Sequence, residues 1–226
     1  MGFTMVKDSQ AELKLIDEKI SAELEPYLDG LITRKANFEQ FKKAYLHFYK
    51  RMRRAIRITI SLGKESQKVT SDPFYLFIYL GIVESLGNSV VDLAVLLLVA
   101  NGRDFHIECQ HTTPRIKHAQ SIEDLETERV PLTTKLNFIK DNNLNCLASL
   151  IDTDLRNDVA HLKFEVKNGD VFVKKKKGNQ GLRYLKRKEI DEAVAKMVRG
   201  TVETARLIDA LMKKKGVEPP AEFSSD

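Results

Sequence analysis

The chain has 226 residues and is 42% hydrophobic, so it can bury the core of one or two domains. Its two cysteines, Cys109 and Cys146, exclude a disulfide framework, and the absence of a secretory pattern at the start of the sequence leads us to expect a cytoplasmic protein. The net charge of +5 is unevenly distributed, because residues 42–57 carry seven basic side chains, residues 174–188 carry eight, and neither stretch contains an acid.

The N-terminal unit, residues 1–72, predicts two amphipathic helices that pack on the rest of the chain. Apolar residues recur at steps of three and four in residues 13–31, although Pro26 is expected to bend or end this helix. A second apolar stripe covers residues 38–55, and its helix is expected to stop near Gly63.

Residues 74–100 are the most apolar segment and predict one long helix with Asp72 as its N-cap. Its length and hydropathy also fit a membrane span. However, Glu84, Asn88 and Asp92 recur every four residues and form a polar line, and a carboxylate at the bilayer centre costs about 3 kcal/mol. We therefore predict the buried central helix of a bundle, with no membrane contact, whose polar line reaches a cleft or pairs with basic side chains of a neighbouring helix.

Residues 102–130 show no sustained periodicity and are predicted to be a long connection with at most one helical turn. Four side chains that can bind zinc lie in it, namely His106, Cys109, His111 and His118. Their spacing matches no common structural zinc site, so an ordinary polar loop is favoured and no metal is predicted.

Residues 73–215 are predicted to form the main domain, and residues 216–226 a disordered tail. In the last part of this domain a helix is predicted to begin at Pro131 and a closing helix to cover about residues 188–215. Between them, the segment KFEVKNGDVFVK alternates apolar and polar residues around an Asn-Gly turn, which predicts a β-hairpin.

The segment RNDVAH, residues 156–161, combines the side chains that RNA cleavage requires. When a ribose 2′-hydroxyl attacks the adjacent phosphorus, a histidine can move the protons near neutral pH, and an arginine fork can stabilise the charge on the phosphorane. Asn157 and His161 share a helix face as i and i+4, whereas Arg156 lies about 140° from His161 on an ideal helix. The complete site is therefore expected at a distorted turn or across an interface.

This segment resembles the signature of the HEPN superfamily, which is an arginine, a polar residue that is often asparagine, three further residues and a histidine. The long helix with Glu84, the helix near residues 131–140 and the hairpin before a closing helix extend the resemblance to roughly residues 73–214, and they are similar to members linked to abortive infection and toxin systems. The resemblance implies an all-α helical bundle of HEPN type with one small β-hairpin between the motif helix and the C-terminal helix.

The same resemblance implies a metal-independent endoribonuclease without a cofactor, acting as a toxin or antiviral-defence effector. Members dimerise so that two motifs face each other in a basic cleft, and an antitoxin or regulatory protein can be a partner. Arg156 and His161 would then be catalytic, with Asn157 in support and Glu84 as a weaker candidate that a salt bridge to a core arginine explains equally well. Lys163 stands where some toxin members carry a tyrosine that a partner modifies, so we do not expect that type of silencing.

The two basic stretches supply the candidate RNA contacts. The rest of the chain holds 22 basic and 32 acidic residues, and positive charge concentrated on an acidic body is typical of proteins that bind a polyanion. Charge alone fits a solvated helix face and a lysine-rich loop equally well. The candidate RNA-binding residues are Lys174, Lys175, Lys176, Lys177, Arg183, Lys186, Arg187, Arg53 and Arg54.

Two other interpretations stay open. The chain could be a non-catalytic module of the same fold that binds RNA, a nucleotide or a protein. Alternatively, the motif could be a polar helix cap in which Arg156 pairs with Asp152 or Asp154 and His161 is a surface residue.

Overall fold

The structure is a computed structural model that describes residues 7–33, 35–66, 72–108, 116–118, 124–125, 130–168, 170–174 and 182–217. Most of these residues are helical, and short antiparallel strands complete the fold, so the expectation of a mainly helical protein is confirmed. The helices are α1 (Lys7–Thr33), α2 (Lys35–Ser66), α3 (Asp72–Ile82), α4 (Asn88–Ala100), α5 (Leu132–Asp141), α6 (Asn145–Ala148), α7 (Thr153–Ala160) and α8 (Arg187–Lys214). The strands are β1 (His106–Glu108), β2 (Ile116–His118), β3 (Phe164–Lys167), β4 (Asp170–Lys174) and β5 (Leu182–Tyr184).

The two N-terminal helices pack on the main domain more than on each other. α1 lies mainly against α8, and α2 lies mainly against α4. The first helix does not end at Pro26 but continues to Thr33, because Leu24, Leu28 and Leu31 are buried on both sides of the proline. Side chains of both units share one hydrophobic core, and the placement of a domain boundary between them stays a prediction.

The central helical segment is not the uniform α-helix that the sequence predicts. A π-helical turn, Val83–Gly87, joins α3 to α4. The segment Leu76–Ala100 is long and apolar enough to cross a membrane, with a mean hydropathy of 1.9, but 78% of its most apolar stretch is buried. Burial of this kind is typical of a helix in a protein core, and α4 packs against both α2 and α5.

The motif occupies a helix of its own. Pro131 precedes α5 as its N-cap, in agreement with the predicted start of that helix. α6 is a single turn, and α7 begins after a break at Asp152. The Asp152 carboxylate accepts hydrogen bonds from the backbone N–H groups of Asp154 and Leu155 at 3.1 and 3.0 Å, which caps α7.

The predicted hairpin is confirmed, and it belongs to a three-stranded antiparallel sheet of order β3-β4-β5. Phe164 pairs with Val173 and Val166 with Val171 across the hairpin, and Asn168 adopts a φ of +53° at the turn. The sequence did not reveal β5, because its three residues are too few to show an alternating pattern.

The predicted long connection contains a short antiparallel ladder between β1 and β2. In its register His106 pairs with His118. Two further candidate ligands, Cys109 and His111, lie outside the described residues.

Candidate active site

The motif helix α7 is anchored by its apolar face and by a buried tyrosine. Leu155 and Val159 are buried, and the Tyr79 hydroxyl of α3 donates a hydrogen bond to the backbone carbonyl of Asp152 at 3.2 Å. Burial raises the pKa of Tyr79, which keeps this hydroxyl neutral and able to donate. The polar residues of the motif are therefore carried by a helix whose other face is packed on the core.

The Arg156 guanidinium is held by two partners. Its Nε donates to Glu84 Oε1 at 2.6 Å, its Nη2 lies 2.5 Å from the same oxygen, and its Nη1 donates to Asn157 Oδ1 at 2.9 Å. The Arg156 side chain is 25% exposed. A guanidinium has five N–H donors, more than these contacts use, so it can still meet a phosphate oxygen.

Glu84 reaches Arg156 from the π-helical turn. Such turns occur often at functional sites because the extra residue redirects the side chains on the helix. Gly87 closes this turn, and an added Cβ there would lie 3.0 Å from both Ile151 and Met197. Asn88 follows the turn and donates from Nδ2 to Glu84 Oε2 at 3.0 Å. Hydrogen bonds to both of its carboxylate oxygens therefore hold Glu84 in place.

A pocket of about 310 Å³ opens beside this pair, and the predicted polar line of the central helix forms one wall of it. Within it, Lys135 Nζ lies 2.6 Å from Asp92 Oδ1, both side chains being almost completely buried, and Arg51 Nη1 lies 3.6 Å from Asp92 Oδ2. The prediction that the line would reach a cleft or pair with basic side chains is confirmed on both counts. The lining residues are Arg51, Glu84, Asn88, Asp92, Leu125, Val130, Pro131, Leu132, Lys135 and Arg156.

Sequence reasoning missed two of the basic residues in this pocket. Arg51 belongs to the first basic stretch, in which only Arg53 and Arg54 are sequence-based candidates, and Lys135 lies among the apolar residues of α5. A larger depression of about 600 Å³ between α1 and α8 is lined by ion-paired residues such as Asp17 and Arg199, and its lining includes none of the motif residues.

His161 ends the motif helix as its C-cap and is exposed. Its backbone N–H donates to the Asn157 carbonyl at 3.0 Å, whereas its imidazole has no hydrogen bond with the part of the chain that the structure describes. Leu162 follows with a φ of +53° and is 64% exposed, and Lys163 N–H donates back to the Asp158 carbonyl at 2.7 Å. The imidazole is therefore open to a substrate or to a second copy.

Arg156, Asn157 and Glu84 are brought together, whereas His161 stands apart from their hydrogen bonds. Arg156 takes Glu84 as its carboxylate partner in place of Asp152 or Asp154. Asp152 caps α7 instead.

The candidate RNA contacts fall into different surroundings. Arg183 donates twice to the Glu189 carboxylate, at 3.0 Å to each oxygen, which gives it a structural partner. Lys186 is exposed, and its backbone N–H donates to Glu189 Oε2 at 2.9 Å, which stabilises the start of α8. Arg54 is exposed, Arg53 and Arg187 are half-buried, Lys174 ends β4, and Lys175, Lys176 and Lys177 lie outside the described residues.

Among the residues that the structure describes, no group of three or more histidine, cysteine or acidic side chains is close enough to hold a metal ion. His106 Nε2 lies 3.3 Å from Asp104 Oδ2. The four-residue zinc hypothesis falls partly on Cys109 and His111, outside the described residues.

The chain has no significant match to a protein-family model, to a curated protein or to a solved structure. The function must therefore be inferred from the residues themselves and from the geometry that joins Arg156, Asn157 and Glu84 near an exposed His161.

Proposed function

We propose that this protein is a metal-independent endoribonuclease of the HEPN type whose active site is completed by a second copy. The observation that carries the proposal is the Arg156 guanidinium, held by Glu84 and Asn157 on the helix that ends in an exposed His161. A positioned guanidinium and an accessible imidazole are the two groups that cleavage through the 2′-hydroxyl needs.

In the proposed reaction the ribose 2′-oxygen attacks the adjacent phosphorus and the bond from phosphorus to the 5′-oxygen breaks. His161 moves the protons, taking one from the 2′-hydroxyl and supplying one to the leaving 5′-oxygen. Arg156 donates to the equatorial phosphate oxygens, on which negative charge builds up in the transition state. The products are a 2′,3′-cyclic phosphate and a 5′-hydroxyl.

A second copy would complete the site by bringing its Arg156 to the scissile bond beside the His161 of the first copy, because the two side chains do not share one face of the motif helix. Exposed apolar side chains near the motif offer a contact surface. Leu162 is 64% exposed, Phe77 is 50% exposed and Val166 is 48% exposed. The Phe77 ring also packs edge to face against Phe164, which connects α3 with β3.

The basic residues near the motif would hold the RNA through its phosphates, which is a sequence-independent form of binding. In this proposal the protein is a cytoplasmic toxin or antiviral-defence effector, kept inactive by an antitoxin or another regulatory partner until it is needed. The mainly helical fold with a small sheet after the motif is compatible with a helical bundle of HEPN type.

A second candidate function is a non-catalytic module of the same fold that binds RNA, a nucleotide or a protein. The observation that favours it is the ion pair between Arg156 and Glu84, because a neutralised arginine offers less charge to a phosphorane. Fold and motif do not by themselves establish turnover, so the two functions must be separated by experiment.

The deciding experiment incubates the purified protein with a mixed pool of RNA in the presence of EDTA. We expect cutting to persist and mass spectrometry to find 2′,3′-cyclic phosphate ends, because the attacking group is the hydroxyl of the substrate. A His161→Ala preparation, purified in parallel, controls for contaminating nucleases. Cutting that requires added metal, or that is equal in the two preparations, would contradict the proposal.

A further inference from the structure

The small sheet has two chemically different faces. Val171, Val173 and Leu185 are buried and attach one face to the helical bundle. Because side chains alternate along a strand, Phe172 and Tyr184 lie on the opposite face. They pair directly across β4 and β5, and their ring centroids are 5.8 Å apart. The outer face of the sheet therefore carries a pair of neighbouring aromatic rings.

These rings are accessible. Tyr184 is 42% exposed, and Phe172 is half-buried. An aromatic pair across strands stabilises a sheet by about 0.2–1 kcal/mol, and this contribution would be the same on the buried face. The position of the pair on the outer face therefore calls for a second explanation.

A lysine lies beside the aromatic pair. Lys167 Nζ lies 5.7 Å from the centroid of the Phe172 ring, and the same ammonium is paired with Glu165 at 2.8 Å. β4 ends at Lys174, the first of four consecutive lysines in the sequence, before the chain returns as β5. The ligand that this surface fits is a polyanion that also presents flat apolar rings.

We infer that Phe172 and Tyr184 form a stacking surface for the bases of single-stranded RNA, with Lys167 contacting the phosphate backbone. Single-strand binding proteins combine such aromatic rings with basic side chains, and every base has a face that can stack. The choice of RNA as ligand rests on the proposed function, although a protein that only binds RNA would keep the same surface.

The surface lies close to the motif. β3 begins three residues after His161, and β5 is two strands further across the sheet, roughly 10 Å away at the usual strand spacing. A strand of RNA stacked on Phe172 and Tyr184 would thus place a neighbouring part of its backbone near the motif helix. The sheet acts as a binding site for the segment that flanks the cleaved bond.

The test measures RNA affinity by fluorescence anisotropy in a His161→Ala background, so that the RNA stays intact. The probe is a labelled single-stranded RNA of about 12 nucleotides, a length that covers a typical single-strand site. Tyr184→Leu should lower RNA affinity about tenfold or more. Tyr184→Phe should keep the affinity within about twofold of the background chain, because phenylalanine stacks on bases and leucine does not. Leucine keeps the apolar contact with Phe172, so a purely structural role predicts no difference between the variants.

Two comparison ligands sharpen the result. An oligomer of the same backbone without bases should bind both variants equally, and a duplex of the same sequence should not distinguish them either. The inference is overturned if Tyr184→Leu loses as much affinity for these two ligands as for the single strand. It is also overturned if both variants bind the single strand with equal affinity.

Photocrosslinking keeps the inference testable if Tyr184→Leu does not fold. An RNA that carries 5-iodouridine should crosslink in the wild-type chain to the peptide with Phe172 or Tyr184, and crosslinks found only elsewhere would overturn it. The two proposals fail in different ways. If cutting depends on His161 but Tyr184→Leu leaves RNA affinity unchanged, only the stacking surface is overturned. If RNA binding depends on Tyr184 but the protein does not cut RNA, only the ribonuclease is overturned.

Discussion

Arg156 is the residue on which the geometry of the candidate site depends most directly, since it contacts both Glu84 and Asn157. Arg156→Lys keeps the positive charge but loses the planar fork that matches phosphate oxygens. We expect the single-turnover cleavage rate to fall by about 100-fold and RNA affinity by much less, because the lost contact strengthens as charge develops in the transition state.

The matched control is Arg103→Lys, which makes the same change at an exposed arginine after α4. It should alter neither rate nor affinity. If Arg156→Lys cuts RNA as fast as the wild type, the guanidinium has no role in stabilising the phosphorane.

The sequence identifies the polar residues of the site but not their partners. Arg156 and Glu84 are 72 positions apart, and no local spacing relates them. Asp152 is a nearer carboxylate, yet its side chain is used in capping α7. The pairing is a property of tertiary packing, because it requires α7 to lie against the central helical segment.

At the scale of secondary-structure elements, close packing of α8 can be tested by a pair of glycines. A Cβ added at Gly200 would lie 2.5 Å from the methyl groups of Leu150, whereas Gly81 on α3 has open space around it. Gly200→Ala should lower the free energy of unfolding by about 1–3 kcal/mol through overpacking. Gly81→Ala should raise it by roughly 0.5–1 kcal/mol, because alanine favours the helix.

Urea denaturation of the two alanine variants measures both changes on the same scale. If the two substitutions change the free energy of unfolding equally, Gly200 does not pack against Leu150 as closely as the structure shows.

A carboxylate on α8 joins this helix to α1. Ser21 Oγ donates to Glu203 Oε1 at 3.0 Å, and Arg206 donates to both oxygens of Glu203 at 2.6 and 2.8 Å. The Arg206 hydrogen bonds hold the pKa of Glu203 below its ordinary value of 4.5. The carboxylate therefore stabilises the fold above pH 4.5, and this stabilisation is lost as the pH falls through the lowered folded value.

Glu203→Gln should accordingly lower the free energy of unfolding at pH 7 by about 1–2 kcal/mol. The expected effect is small because Arg206 is exposed and solvent screens its charge. The difference between wild type and variant should shrink as the pH falls well below 4.5. Chemical denaturation at several pH values checks this. If the difference in free energy of unfolding grows as the pH falls, the stabilising role of the Glu203 carboxylate is wrong.

Elements with a clear sequence pattern were predictable, and short or context-dependent ones were not. The hairpin of β3 and β4 follows from alternation around an Asn-Gly turn, and α8 follows from its apolar stripe. The π-helical turn Val83–Gly87 leaves no pattern in the sequence, because it depends on how Glu84 and Gly87 meet other helices. The continuation of α1 through Pro26 likewise depends on burial that propensity does not include.

At the scale of the whole molecule, the proposal requires two copies to build one site. Arg156→Ala and His161→Ala chains should each be inactive alone. When the two variants are mixed and exchange subunits, half of the dimers contain one copy of each. Each mixed dimer has one of its two sites intact, built from the Arg156 of one copy and the His161 of the other. Roughly a quarter of wild-type activity should therefore return.

Light scattering on the wild-type chain provides the companion measurement and should show a dimer at micromolar concentration. No recovery in the mixture, together with full activity of a strictly monomeric wild type, would place the complete site within a single chain.

The most direct test of the proposed ribonuclease compares His161→Ala with the wild type in single-turnover cleavage and in RNA binding. His161 is exposed at the end of α7, so its removal should leave the fold and most phosphate contacts unchanged. The proposed role of His161 predicts a rate at least about 100-fold lower with nearly unchanged affinity, since only the proton-transfer group is lost. A His161→Ala protein that cuts RNA at the wild-type rate would contradict it.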